Sequence, residues 1–504
     1  MTTLIKNVQV VDGSGQSPVK ADVLVRDRYI AAVGSFPSFK ADDVLFGNEQ
    51  YLSSGFVDMN ASSDRTLALF SEPTFGDFLK QGVTSVLMGQ CGFSLAPSVY
   101  GSLHTHQSRD SKHVANSNWR TFGEFLDTLS KNWAFGANIG SLAGHRVMRE
   151  DIVHDPSKFR KLSAGELRVF RHLLLRTLEE GSFGFSSGLG YVPYTQTPYH
   201  EMRALADVVA QHKGLYAVHM RNETDGLLDS VKEVVKLAQD VSVRTIISHL
   251  RPFVGYEQEF EQALELLARK FSKAHVYFDM NPFPYSAVRA DAFLPRRMQD
   301  MDIEAALSYL RDPASEKNLL QELPLVDARD AMVFRAPDMP FLRGVSLFDF
   351  AQNRHVSSKK ALLEFMRATK LRGVLFYKNL NPNYIAKGLL SSQSLVSTNS
   401  SHATDVAAFR PKRATDTFPE FLRIADRAGM PIEKAVAKIT SVPASLAGIE
   451  KRGMVAAGFY ADLVLCSKDG SISNVFVNGR RAVADGQFKP AEATSGNVLY
   501  KRKP

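Results

Sequence analysis

Residues 243–280 read "VRTIISHLRPFVGYEQEFEQALELLARKFSKAHVYFDM", and this stretch decides the fold. A β-branched apolar run (243–250) gives way to apolar residues at helical spacing (257–273), then to a second apolar run (274–280). Strand, helix and strand in that order predict two parallel neighbours joined by a crossover helix. Further runs occur as "GVTSVLMG" (82–89), "GLYAVHM" (214–220), "RGVLFYKN" (372–379) and "LVSTNSS" (395–401). The stretch "SAGELRVFRHLLLRTLEEG" (163–181) reads as a helix with Ser163 as N-cap before Glu166. Repeated units of this kind over residues 56–445 predict an α/β architecture, a TIM-like (β/α)8 barrel, with an open doubly wound sheet as the alternative. The less regular, Asp/Arg-rich stretch at about 286–345 reads as an insertion over the barrel mouth.

Both ends of the chain look different. "TLIKNVQVV" (3–11) and "ADVLVRDRYIAAVG" (21–34) alternate apolar and polar positions between turns, as do "ADLVLCSKDG" (461–470) and "SNVFVNGRRAVADG" (473–486). Neither end alone has enough strands to bury a face, so 1–55 and 446–504 are expected to form one composite β-sandwich domain.

The chain has 504 residues, 44% hydrophobic and 23% charged, enough for a large core. "MTTLIKNVQVVDG" lacks the features of a secretory signal and no apolar run is long enough to span a bilayer, so a cytoplasmic protein without membrane contact is expected. The net charge of +8 is scattered, with only "YKRKP" locally basic, which argues against a nucleic-acid partner. Self-association is left open. The two cysteines, Cys91 and Cys466, fit a reducing compartment, and Cys466 reads as a packed thiol in a terminal strand. No glycine-rich phosphate loop follows a strand.

In a barrel, chemistry is done at the carboxyl ends of the strands. The polar residues there are Asp58, Asn60 and Ser62; Cys91; His145; His219, Arg221, Asn222 and Glu223; His249 and Arg251; Asp279 and Asn281; Asn399 and His402. Cys91, His219 and His249 are the strongest subset: a thiolate and two imidazoles from separate strands leave a fourth position for water on one zinc ion. Bound zinc lowers the pKa of water toward about 7 and polarises a carbonyl, as amide hydrolysis needs. The competing reading is a small buried thiol with hydrogen-bonded core histidines. His145 reads as a satisfied core histidine, and the pair His104 and His106 sits in a polar loop with poor coordinating prospects.

The motifs "GVTSVLMGQCGFSLAP" (82–97), "GHRVMR" (144–149), "GSFGFSSGLGY" (181–191), "GLYAVHMRNE" (214–223), "ISHLR" (247–251), "NPFPYSA" (281–287) and "DTFPEFL" (416–422) resemble those of the N-acyl-D-amino-acid deacylases (D-aminoacylases) of the amidohydrolase superfamily. The resemblance spans nearly the whole chain and is weakest in the insertion. It implies an eight-stranded α/β barrel with a β-sandwich from both termini, and hydrolysis of the amide C–N bond of an N-acyl amino acid or similar small carboxylate. It implies a tightly bound zinc on Cys91, His219 and His249. The family's weaker metal position uses a His-x-His pair, where this chain has Asn60 and Ser62. Asn399 stands where the family has its acid–base aspartate, and a neutral amide cannot take the proton of attacking water. His402, Asp405, Asp64 and Glu223 are alternative bases by sequence proximity, His402 by its ordinary pKa.

The resemblance also assigns substrate carboxylate binding to Arg413, with Tyr285 lining the same site and Arg251 in place of the family's lysine. For Arg413 an exposed loop position, and for Tyr285 a packed rim aromatic, are the competing readings. Two other functions stand beside a single-metal hydrolase. One is a catalytically retired barrel that binds a ligand or a protein, favoured by the losses at 60, 62 and 399. The other is a metal-independent enzyme using Asn60, Ser62 and Asn399 as a hydrogen-bonding surface.

Overall fold

The computed structural model describes residues 1–100, 118–153, 159–191, 193–269, 274–299, 301–337, 339–402 and 410–502. His104, His106 and Asp405 lie outside the described residues. None of the described helices is long and apolar enough to cross a membrane.

Strands from both ends of the chain share one 9-stranded sheet. The N-terminal strands are β1 (Thr2–Val11), β2 (Val19–Arg26), β3 (Tyr29–Gly34), β4 (Asp43–Phe46) and β5 (Tyr51–Ser54). The C-terminal strands are β18 (Leu463–Cys466), β19 (Ile472–Val477), β20 (Arg480–Ala484) and β21 (Gln487–Phe488). The junction is β5 against β18, antiparallel, with Ser54 opposite Leu463. Alternating positions Val8, Val10, Val23, Val25, Leu52 and Leu463 meet in one buried cluster, which is what the period-2 pattern encodes. Cys466 is buried in β18, and burial pushes its thiol up to about 12.

Between the ends lie parallel strands. β6 (Phe56–Asp58), β7 (Val83–Met88) and β8 (Asn138–Ser141) form a 3-stranded parallel sheet. β9 (Ala143–Gly144), β10 (Gly184–Gly188), β11 (Leu215–His219), β12 (Arg244–Ile247), β13 (His275–Met280) and β17 (Ser394–Val396) form a 6-stranded parallel sheet in the order β17-β13-β12-β11-β10-β9. An isolated parallel bridge joins Ala61 to Ser400, just past the ends of β6 and β17. In the deciding stretch, β12 and β13 pair in parallel from Arg244 opposite His275 onward. The helix Glu257–Leu267 connects them and buries Phe260, Ala263, Leu264 and Leu267. The helix Ala164–Glu179 carries the full capping box: Ser163 Oγ accepts from Glu166 N at 3.2 Å, and the Glu166 carboxylate accepts from Ser163 N at 2.8 Å.

Two differences from the sequence reading have physical causes. β8 and β10, "NIGS" and "GFSSG", carry no apolar run, because their small residues sit where backbones crowd. A Cβ on Gly184 would lie 1.9 Å from the Leu215 carbonyl oxygen. The run "RGVLFYKN" does not join the parallel strands. It forms β16 (Val374–Lys378), antiparallel between β14 (Tyr285–Arg289) and β15 (Ala331–Arg335). A short apolar run is compatible with any sheet, so its partner is not encoded locally. These strands belong to a second compact unit, Phe283–Pro382, with its own core around Phe293, Leu307, Phe350, Leu362 and Phe365.

Candidate metal centre

β7 delivers the turn "GQCG". Gly89 has φ 77°, and a Cβ there would lie 2.1 Å from the Leu142 carbonyl oxygen, so only glycine fits. Gly89 N donates to Asp64 Oδ2 at 2.9 Å, which pins the turn. Cys91 and His249 both sit in the left-handed region, at φ 55° and 42°, a conformation costing roughly 1–2 kcal/mol per non-glycine residue. Such strain persists where surroundings over-determine it, and functional sites are the usual place.

One ligand atom each from Cys91, His219 and His249 lies within 4.8 Å of the others, and all three residues are buried. Cys91 Sγ is 3.4 Å from His249 Nε2. His219 Nδ1 is buried without a hydrogen-bond partner, in keeping with an atom reserved for a ligand. Thiolate plus two imidazoles suits zinc, so the donor set fits that ion. Burial pushes the Cys91 thiol up, but the charges of His249 and His219 more than reverse this and hold it well below its ordinary value. For His249 burial lowers the pKa, and Cys91 and Glu223 override it, bringing the ring to about 10.

Glu223 organises the cluster from four residues beyond His219, in the bend that follows β11. Its Oε1 accepts from His249 Nδ1 at 3.1 Å and from Arg251 Nε at 3.2 Å, while Oε2 pairs with Arg251 and lies 3.6 Å from His219 Nε2. This fixes His249 with Nε2 toward Cys91, as outer partners of metal-binding histidines do. Burial raises Glu223, but Arg251, His219 and His249 hold it well below the usual carboxylate range.

Sequence reasoning missed Tyr191. Its ring centroid is 4.4 Å from that of His219, and Arg65 lies 5.8 Å over its face. Burial and then the Cys91 charge raise its hydroxyl to about 12. The signal was the "GLGY" glycines: a Cβ on Gly190 would lie 2.5 Å from His219 Nε2, so the backbone there presses against a ligand.

The positions of the family's second metal are occupied by hydrogen bonds. Asn60 Nδ2 donates to both oxygens of buried Asp279, at 3.3 and 3.2 Å, and Ser397 Oγ donates to the same carboxylate. Asp58 accepts from Asn60 N at 3.0 Å and from Thr398 Oγ1 at 2.5 Å. Ser62 N donates to Ser400 O at 2.9 Å. Asn399 is half-buried at φ 43°, a conformation asparagine tolerates better than most residues.

The other expected residues fall differently. His402 is buried, with Nδ1 2.7 Å from Ser63 Oγ, Nε2 2.7 Å from Glu72 O and its ring stacked on Phe75 at 3.8 Å. Burial drives it down to about 4, so it is a neutral core link with both nitrogens committed, which corrects its reading as a base. Asp64 is committed to Gly89 N and Arg65 N. Arg413 is buried rather than on an exposed loop, and burial followed by the Arg251 charge lowers it to about 10. Tyr285 belongs to the second unit, where its ring stacks on Phe376 at 5.3 Å. His145 is a paired core histidine, 2.9 Å from Glu201, which also accepts from Arg149.

Comparison with known proteins finds relatives along nearly the whole chain. A profile of the amidohydrolase family matches residues 387–482. D-aminoacylase of Alcaligenes xylosoxydans xylosoxydans is 25% identical, over 99% of this chain and 97% of the relative. N-acyl-D-glutamate deacylase of the same organism is 25% identical over 92% and 87%. A solved N-acyl-D-glutamate deacylase from Bordetella bronchiseptica, complexed with zinc and a phosphonate mimic of the tetrahedral intermediate, superposes with a TM-score of 0.77 at 23% identity, covering 99% of both chains. The fold is that of the solved D-aminoacylase, which superposes with a TM-score of 0.78 at 22% identity over 99% of both chains. Along nearly its whole length the chain is similar to D-aminoacylase and to N-acyl-D-glutamate deacylase.

Proposed function

We propose that this protein is a single-zinc amidohydrolase that cleaves the amide C–N bond of an N-acyl amino acid, of the D series by relationship, or of a similar small carboxylate. The observation that carries this reading is the convergence of Cys91, His219 and His249 on one buried point. When bound there, zinc supplies Lewis acidity and lowers the pKa of water. The chain's own groups do the rest. Glu223 sets the His249 tautomer through Nδ1. Arg251 and Arg413 are close enough to repel, and a substrate carboxylate between them relieves that repulsion. Tyr191 stays protonated and donates toward the carbonyl oxygen as charge develops on it. Asn399 orients water without accepting its proton, and Glu223 is the carboxylate whose oxygens lie at the cluster.

The Asn60 amide supports a one-ion site, since it neutralises by hydrogen bonding the carboxylate that a second cation would otherwise need to balance. The Ala61–Ser400 bridge supports closure of the parallel strands into a (β/α)8 barrel over 56–445, flanked by a β-domain from 1–55 and 446–504. Two free cysteines support a cytoplasmic protein.

The alternative, a ligand-binding barrel without turnover, is favoured by the neutral Asn399 and the low basicity of Glu223. Metal content with a Cys91→Ala control, followed by a screen of N-acyl amino acids, separates the two. Zinc with turnover supports the hydrolase, zinc with ligand binding alone supports the alternative, and zinc-free protein after zinc-supplemented expression sinks the zinc-hydrolase reading and favours the ligand-binding barrel.

A further inference from the structure

The amino ends of the parallel strands, opposite to the metal cluster, carry a cleft that the deacylase reading does not use. Its volume is about 730 Å³, within the range of small-molecule sites. It lies among the turn after β1, the first residues of β12 and β13, and the helix Ser441–Ala447 with the chain that follows.

Two properties of its wall point to a ligand class. The wall contains no acidic side chain, whereas Arg244, His275, Lys451 and Arg452 all face it. Arg452 is neutralised by Asp462, against which it is fully buried, and the neighbouring Glu450 pairs with Arg502 at 3.5 Å. Arg244 and Lys451 have no carboxylate partner among the described residues. The guanidinium of Arg244 donates only to backbone carbonyls, those of Ser445 and Lys213. A further cation stands behind it: a Cβ on Gly448 would lie 3.9 Å from Lys501 Cε and 4.0 Å from Arg244 Nη2. Burial, then the charges of Arg244 and Lys213, lower Lys501 to about 8. The second property is apolar: Tyr277, Val442, Leu446, Ile449, Met454 and Phe459 supply the rest of the surface.

We propose that this cleft binds an amphiphilic monoanion, a negatively charged head on an alkyl or aryl body, with Arg244 and Lys451 taking the head. Fatty carboxylates and alkyl phosphates share that chemistry. The site is separate from the metal centre, yet tied to it covalently: Arg244 opens β12, and the same segment ends at His249.

The test is calorimetric titration of the full-length protein with decanoate, decyl phosphate, decanol and inorganic phosphate. One saturable site for decanoate or decyl phosphate, with decanol and phosphate much weaker, is the expected result, and the stronger of the two anions identifies the head. Lys451→Glu, at an exposed position, weakens binding by roughly tenfold, the size of one charge-assisted hydrogen bond. Ser14→Trp, which fills the cleft from its rim, abolishes it, whereas Cys91→Ser at the metal cluster leaves it unchanged. Decanol binding as tightly as decanoate, absence of saturable binding, or loss of binding in Cys91→Ser with retention in Lys451→Glu would each overturn the proposal.

Discussion

Replacing Gly190 by alanine probes the proposed metal ligand His219 without replacing any of the three cluster residues. The added Cβ lies 2.5 Å from His219 Nε2 and 2.6 Å from the Met220 carbonyl oxygen, against 3.4 Å for ordinary contact. Because one of the two obstacles is backbone, the ring has to yield, and its contact must open by about 0.9 Å, from 2.5 to 3.4 Å. A displacement of that size in a group that orients or forms a metal site costs about 10–100-fold in affinity, or about 1.4–2.7 kcal/mol. The Met220 carbonyl lies just past the end of β11, so any backbone adjustment is local and circular dichroism is expected to stay unchanged. The assay is zinc competition against a chromogenic chelator for wild type, Gly190→Ala and Gly165→Ala. The control is apt because a Cβ on Gly165 meets nothing closer than 3.9 Å. Zinc affinity of Gly190→Ala within about twofold of wild type, in folded protein, would refute the placement of His219 as a ligand.

Further predictions concern the histidines and the second metal position. In the metal-free protein at neutral pH, ultraviolet difference spectra should show a thiolate that disappears in Cys91→Ala, since the imidazoles hold that thiol well below its ordinary value. His249 is raised to about 10 from 6.5, so its stabilising contribution to the metal-free fold is complete below pH 6.5 and is lost as pH rises through about 10; urea titrations at pH 7 and above should record that loss. His402 has the opposite sign: depressed to about 4 from 6.5, its contribution is present above pH 6.5 and lost as pH falls through about 4. His402→Phe should lower stability at pH 7 by roughly 1–3 kcal/mol, through two lost hydrogen bonds, and remove the acid-sensitive portion, with kcat/KM of the folded enzyme retained; a selective loss of kcat would restore His402 as a catalytic residue. Zinc titration should saturate at about one equivalent for wild type and about two for the combined variant Asn60→His, Ser62→His and Asn399→Asp, which replaces amide and hydroxyl by metal-binding groups. A second equivalent in wild type would refute the role given to Asn60.

The sequence by itself determined what depends on neighbours along the chain. Strand–helix–strand order over 243–280 fixes parallel pairing through the connection it demands, and Ser163 with Glu166 fixes a helix start through bonds three residues apart. The alternation near both termini fixes which faces are buried. The convergence of Cys91, His219 and His249 was legible for the same reason, because each lies at the end of an apolar run and strand ends converge in such folds. Tertiary structure decided everything that depends on which distant segments meet. It made β16 an antiparallel strand of the second unit, since a short apolar run does not encode its partner. It turned His402 from a base by ordinary pKa into a neutral core link, because burial and the Ser63 and Glu72 contacts are set by residues hundreds of positions away. It brought Asn60 to Asp279 across 219 positions and placed Tyr191 on His219. Hydrogen bonding and desolvation act over a few ångströms in space and carry no signature along the chain, so the chemistry of those side chains was decided only when the fold closed around them.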